Sequence, residues 1–167
     1  DRHRINKILV ITLSNVGDVV LTTPVLTTLR HYYPHAQLDV MVGPRALGVF
    51  EKCSWVSELI VYDKAQSLAH KIMLVRRLAR EQFDLVVDLR HTLIPLLLPV
   101  PYRTTLRRKK DVGPVHMRDR HLNRLYELGL ACVTAPPRFP FFDSADVERV
   151  RQMLRAQASM PSDPLIV

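Results

Sequence analysis

Glycine and cysteine are scarce in this chain, with five Gly and two Cys among 167 residues. The run Ser14-Asn-Val-Gly-Asp18 holds one glycine where a dinucleotide fingerprint needs several, which excludes a nicotinamide or flavin site of the usual kind. No Gly-Lys-Ser/Thr phosphate loop occurs, and no Gly-flanked serine elbow. The two cysteines, Cys53 and Cys132, have no metal-ligand spacing. In so apolar a chain they read as reduced thiols of a cytosolic protein, and no metal is expected. No apolar run approaches bilayer-spanning length. Residues 1–6 are polar, without the apolar core of a secretory signal. Aromatic residues make up only 7% of the chain.

What is present is a globular composition with an excess of positive charge. Hydrophobic residues account for 47% and the formal net charge is +8. That apolar content argues against disorder, and the length suits one domain with a substantial core. The charge is uneven. Residues 102–124 carry Arg103, Arg107, Arg108, Lys109, Lys110, Arg118, Arg120 and Arg124 against only Asp111 and Asp119. Such a stretch is either a solvated surface or a landing site for an anion such as a phosphorylated sugar, a lipid headgroup or nucleic acid. Aromatics are not interleaved with it, which counts against base stacking.

The pattern along the chain alternates strands and helices. Ile8, Leu9, Val10, Ile11 and Leu13 form the near-continuous apolar run of a strand buried on both faces. A helical spacing follows through Val20, Leu21, Val25, Leu26 and Leu29. Either one helix starts at Asp18 and bends at Pro24, the preferred reading because Val19–Leu21 would otherwise be exposed, or Thr23 caps a helix with Pro24 at its first position. Leu38–Val42 and Leu59–Tyr62 read as strands two and three, with a short helix from Arg45 to Lys52 between them. Ser67 caps a helix whose apolar stripe is Leu68, Ile72, Val75 and Ala79, widened by Leu78, with Arg76, Arg77 and Arg80 on its other side. Phe83–Leu89 reads as strand four. Residues 93–101 are apolar but hold three prolines, and read as a short helix or turn on the sheet, with a membrane-touching segment as the alternative. Tyr102–Leu106 is a candidate fifth strand. A helix around His121–Leu128 ends at Gly129, and a further helix capped by Asp143 or Ser144 carries Val147, Val150 and Leu154 on one face. This alternation predicts an α/β fold with a parallel sheet and right-handed crossovers. Residues 161–167 read as a linker and the start of a further strand, so residues 1–160 are expected to be the front domain of a larger protein.

Strands one and four should end on the same rim of the sheet, where open α/β sheets bind ligands. That rim would carry Ser14, Asn15, Gly17 and Asp18, with Asp88, Arg90 and His91 close by. Spacing alone makes Asp18 a helix-start residue before it makes it a base, and makes Asp88 a strand-end residue that binds backbone amides. His121 reads as packing, or as a group that orients a ligand.

The pattern from Ile8 to Leu26, with its Ser-Asn-Val-Gly-Asp core, resembles the opening of family 9 glycosyltransferases, the lipopolysaccharide heptosyltransferases. Three further pieces match in order: Leu38 to Gly43, Phe83 to Leu89, and His121 through Gly129. The resemblance implies a GT-B architecture of two Rossmann-like domains, of which this chain is the amino-terminal, acceptor-binding one. It implies inverting transfer of heptose from ADP-heptose to a lipopolysaccharide inner core without a bound metal or cofactor, the donor being held by the second domain. The aspartate of the Gly-Asp pair is the family's proposed general base and falls on Asp18. Ser14, Asn15, Gly17, Asp88, Arg90 and His91 are then expected to bind the acceptor, and Arg76, Arg77, Arg80 and the 107–110 run suit its carboxylates and phosphates. Many members have Asp-Leu-Gln-Gly at strand four, where this chain has Asp88-Leu-Arg-His91, a change in the charge and bulk of the acceptor edge. The resemblance further implies a cytoplasmic protein, with an anionic glycolipid acceptor, peripheral contact with the inner membrane and no nucleic acid. The competing readings are a basic nucleic-acid-binding module and a non-catalytic sugar-binding domain.

Overall fold

The computed structural model describes residues 5–13, 15–105, 116–131, 133, 139–140 and 144–157. Five parallel strands form one sheet in the order β3-β2-β1-β4-β5: β1 Lys7–Ile11, β2 Gln37–Val42, β3 Glu58–Val61, β4 Leu85–Asp88 and β5 Tyr102–Arg103. The chain winds outward from β1 through β2 to β3, then returns to lay β4 on the other side of β1, with Ile11 opposite Asp88. The carboxyl ends of β1 and β4 therefore flank the point where the strand order reverses, the place where such sheets open a crevice.

Both faces of the sheet are covered, which is why its strands are apolar at nearly every position. On one face Ile8, Val10, Leu38, Val40, Leu85 and Val87 pack against helices α1 (Val16–Val20), α2 (Thr23–Tyr32), α3 (Leu47–Phe50) and α6 (Met117–Glu127). On the other, Leu9, Ile11, Met41, Ile60 and Val86 pack against α4 (Leu68–Arg80) and the short α5 (Ile94–Leu97). Cys53 is buried and free, and Trp55 packs over the first face with its ring edge-on to Phe139, 5.4 Å between centroids. Cys132 and the 107–110 run lie outside the described residues.

Three elements depart from the sequence reading. The helix after β1 does not bend at Pro24 but breaks before it. Pro24 has no N–H for the Val20 carbonyl. The Thr23 hydroxyl donates to that oxygen at 2.9 Å, and the Thr22 hydroxyl donates to the Val19 oxygen at 2.6 Å. Two side chains thus stand in for ladder bonds, and α2 restarts with proline in its first turn. In α4, the Ser67 cap is present, its Oγ accepting the His70 N–H at 3.4 Å, but the buried residue is Leu78. Val75 and Ala79 pack beside Leu78, whereas Leu68 and Ile72 stand exposed. Helix α7 (Ser144–Gln157) starts where expected, yet Val147, Val150 and Leu154 are exposed. Asp143 lies outside the described residues. Helix α6 ends as its sequence suggests: Gly129 takes φ 68, and the Gly129 and Leu130 N–H groups donate back to Tyr126 and Leu125. Among the described residues no helix is long and apolar enough to cross a membrane.

Candidate active site

The loops that leave the carboxyl ends of the strands build one crevice of about 500 Å³. The β1–α1 loop brings Asn15 and the first turn of α1 brings Asp18, the turn after β2 brings Arg45, the segment after β3 brings Tyr62 and Lys64, and the β4 exit brings Arg90. Each of these residues lies within seven positions of its strand's last residue. The rigid sheet therefore fixes the spacing of side chains that are far apart in sequence.

Asp18 is in the first turn of α1, but its carboxylate is not spent on the helix start. It stays about one-third exposed, and its Oδ2 lies 3.8 Å from Arg90 Nη1. Gly17 beside it is exposed, and a Cβ added there would meet no described atom within 4 Å. The chain's own packing thus leaves the approach to the Asp18 backbone open. Arg45, Lys64 and Arg90 face two carboxylates, Asp18 and Asp63, and Asp63 is partly engaged by the Ala65 N–H at 2.8 Å. The crevice thus mixes apolar and charged walls, with three cations against two carboxylates, and Asp18 is the carboxylate that faces Arg90 across it.

Asp88 lies beneath this surface. It is 1% exposed, and its carboxylate accepts the Arg90 N–H at 2.8 Å, the Thr92 N–H at 2.5 Å and the Thr92 hydroxyl at 2.9 Å. A carboxylate so filled has no face left for a sugar, so acceptor contact is corrected to turn-holding. Buried Arg124 braces the same exit, its Nε donating to the Asp88 carbonyl at 3.2 Å while Nη1 reaches both Glu127 oxygens at 3.1 Å. These bonds aim Arg90 across the crevice. His91 follows with φ 54, in the left-handed region, and is half-buried beside it. Buried His121 lies close enough to Asp18 and Arg90 to feel both charges. Desolvation pushes its imidazole down from 6.5 to about 4, against the attraction of Asp18.

The other expected acceptor residues scatter. Arg77 pairs with Glu58, the first residue of β3, and with Glu81, so it belongs to the opposite rim. Arg80 ends α4 on that same side. Their assignment to the acceptor edge is corrected by the direction of α4, which runs back toward the strand starts. Arg76 lines a neighbouring apolar groove. Ser14 lies outside the described residues. The basic stretch is no uniform landing surface either, because Arg124 is buried and Arg103 donates to the Pro95 carbonyl at 2.7 Å. Sequence reasoning missed Arg45, Tyr62 and Lys64. Their signal was position alone, just past the carboxyl ends of β2 and β3.

A glycosyl transferase of family 9 from Veillonella parvula superposes on 94% of this chain with a TM-score of 0.70 and 24% identity, the match covering 50% of that structure. The chain shares the fold of that structure. Its likeness extends to E. coli ADP-heptose LPS heptosyltransferase II, with a TM-score of 0.63, 23% identity, 93% of this chain and 51% of that one. Lipopolysaccharide heptosyltransferase 3 of E. coli K12 is 27% identical over 81 residues, which cover 44% of this chain and 23% of that protein. Lipopolysaccharide core heptosyltransferase OpsX of Haemophilus influenzae is 29% identical over 80 residues, covering 48% of this chain and 23% of OpsX. The chain thus spans about half the length of the solved structures, and the segments matched in the curated relatives span about a quarter of theirs. No family model matches the chain.

Proposed function

We propose that this chain is the acceptor-side domain of an inverting glycosyltransferase of lipopolysaccharide core synthesis, acting at the cytoplasmic side of the membrane. The observation that carries the reading is the one-third-exposed Asp18 carboxylate opposite Arg90 at the β1/β4 switch point. An acceptor sugar with anionic groups would lay them on Arg45, Lys64 and Arg90, leaving one hydroxyl against Asp18. As that oxygen bonds to the anomeric carbon of the donor, Asp18 accepts its proton. The bond from the anomeric carbon to the diphosphate breaks, and the nucleoside diphosphate departs with the electron pair. Single displacement of this kind inverts the anomeric centre.

In this reading the donor is ADP-heptose, held by a second Rossmann-like lobe, which also supplies the positive charge the leaving diphosphate needs. Two relatives' names support heptosyl transfer, and one solved relative is E. coli WaaC with ADP-2-deoxy-2-fluoro heptose, at a TM-score of 0.64. The acceptor is an anionic inner-core glycolipid. The test incubates the intact protein with ADP-heptose and a delipidated inner-core oligosaccharide and follows the product by mass spectrometry. A heptose added with inverted configuration is the expected result. Tight acceptor binding with no transfer from any nucleotide sugar would instead favour a non-catalytic sugar-binding domain.

A further inference from the structure

The three cations of the crevice are not alike. Arg45 and Lys64 have no carboxylate partner among the described residues, whereas Arg90 reaches the Asp18 carboxylate. The crevice's other acid, Asp63, is turned to the Ala65 N–H. Asp18 is thus the one acid here whose charge a cation already holds. Buried His121 adds no second hold, since desolvation brings its imidazole down to about 4 and keeps it uncharged at neutral pH.

The pair is loose. Asp18 Oδ2 and Arg90 Nη1 stand 3.8 Å apart, and each side chain is about one-third exposed. Two charges so solvated bind each other weakly. The backbone beneath is firm by contrast, because the Arg90 N–H is fixed on the Asp88 carboxylate, which Thr92 also holds. The guanidinium is therefore free to leave Asp18 on its own stem while the β4 exit stays in place. Its planar fork takes a phosphate or a carboxylate through two parallel hydrogen bonds, a better contact than the 3.8 Å approach to Asp18.

We infer that Arg90 guards Asp18 and makes its release depend on the acceptor. Until an anion arrives beside it, Arg90 draws Oδ2 of Asp18 to itself. An acceptor with a phosphate or carboxylate next to its reacting hydroxyl takes over the guanidinium and leaves Asp18 to face that hydroxyl. Arg45 and Lys64 hold the acceptor by its other charges and release nothing. Arg90 is then a specificity-determining residue that selects acceptors by rate as well as by affinity. The inference rests on the transfer reaction proposed above and sets a condition on its acceptor, an anionic group adjacent to the hydroxyl that is glycosylated.

The test measures kcat of the intact protein with ADP-heptose at saturating acceptor. The acceptors are the delipidated inner-core oligosaccharide and the same oligosaccharide with its phosphates removed, with its carboxylates esterified, or with both changes. Wild type should be slowest on the doubly neutralised acceptor, and the single changes tell which anion Arg90 answers to. Arg90→Gln and Arg90→Ala should each raise the rate on the neutralised acceptor about two- to fivefold, the range an exposed ion pair allows, while lowering kcat/KM on the untreated one. Lys64→Gln should lower kcat/KM on the untreated acceptor without that gain. Arg90 is exposed, and an unaltered thermal midpoint confirms that its variants are folded. Rates for both Arg90 variants at or below wild type on the neutralised acceptor overturn the inference and make Arg90 a plain anion ligand, with the transfer reading intact. Transfer by wild type to none of the four acceptors removes that reading, and this inference with it.

Discussion

Asp18 and Arg90 are more than seventy residues apart in sequence, yet their charged ends lie 3.8 Å from one another. What holds them is buried and polar: Asp88 grips the turn that carries Arg90, and Arg124 grips the Asp88 carbonyl. His121 completes the surroundings. Its Nε2 is buried without a hydrogen-bond partner among the described residues. With the folded-state value depressed from 6.5 to about 4, the native chain binds fewer protons than the unfolded chain between those two values. The stabilisation is therefore complete above about pH 6.5 and is lost as the pH falls toward 4. The loss should be on the order of 2 kcal/mol. Urea unfolding at pH 7 and near pH 4.5 checks this. Glutamine does not titrate, so His121→Gln should flatten the pH dependence whatever it costs at pH 7, and an unchanged slope would assign the acid sensitivity to other groups.

At the scale of elements, α4 separates what periodicity reveals from what it does not. Its helical spacing was legible, and so was its Ser67 cap. Which part of the apolar arc would touch the sheet was not, because that depends on where the helix axis crosses the strands. The outcome is Leu78 at 1% exposure and Ile72 at 44%. Leu78→Ala should accordingly cost about 2–5 kcal/mol, and Ile72→Ala no more than about 0.5 kcal/mol, in chemical denaturation. Similar costs at the two positions would contradict this orientation. The break between α1 and α2 shows a second limit. Pro24 signalled a disturbance and left a bend and a fresh helix start as alternatives, and the choice between them rests on the Thr22 and Thr23 hydroxyls, whose bonds periodicity does not reveal. The strands were the most legible elements, since burial on both faces leaves almost no polar position to confuse the pattern.

At the scale of the whole molecule, alternation of strands and helices was enough for a Rossmann-like sheet, and strand order then placed the crevice. Asp18 and Arg90 were legible as rim residues because each follows a recognisable strand. Arg77 and Arg80 misled because clustered charge in sequence carries no direction, and α4 points them to the far rim. In the proposed function, the net charge of +8 and the cations of the crevice would make binding of an anionic acceptor a screened interaction. Titration calorimetry with the delipidated acceptor should show affinity falling steadily as salt is raised, and a salt-independent affinity would rule out charge recognition. The account as a whole turns on Asp18 taking the acceptor's proton. The decisive measurement is the single-turnover rate of transfer by Asp18→Asn in the intact enzyme, with acceptor affinity determined on the same sample. The expected result is a rate lower by about 10²–10⁴-fold with acceptor binding largely kept; transfer at close to the wild-type rate would contradict it.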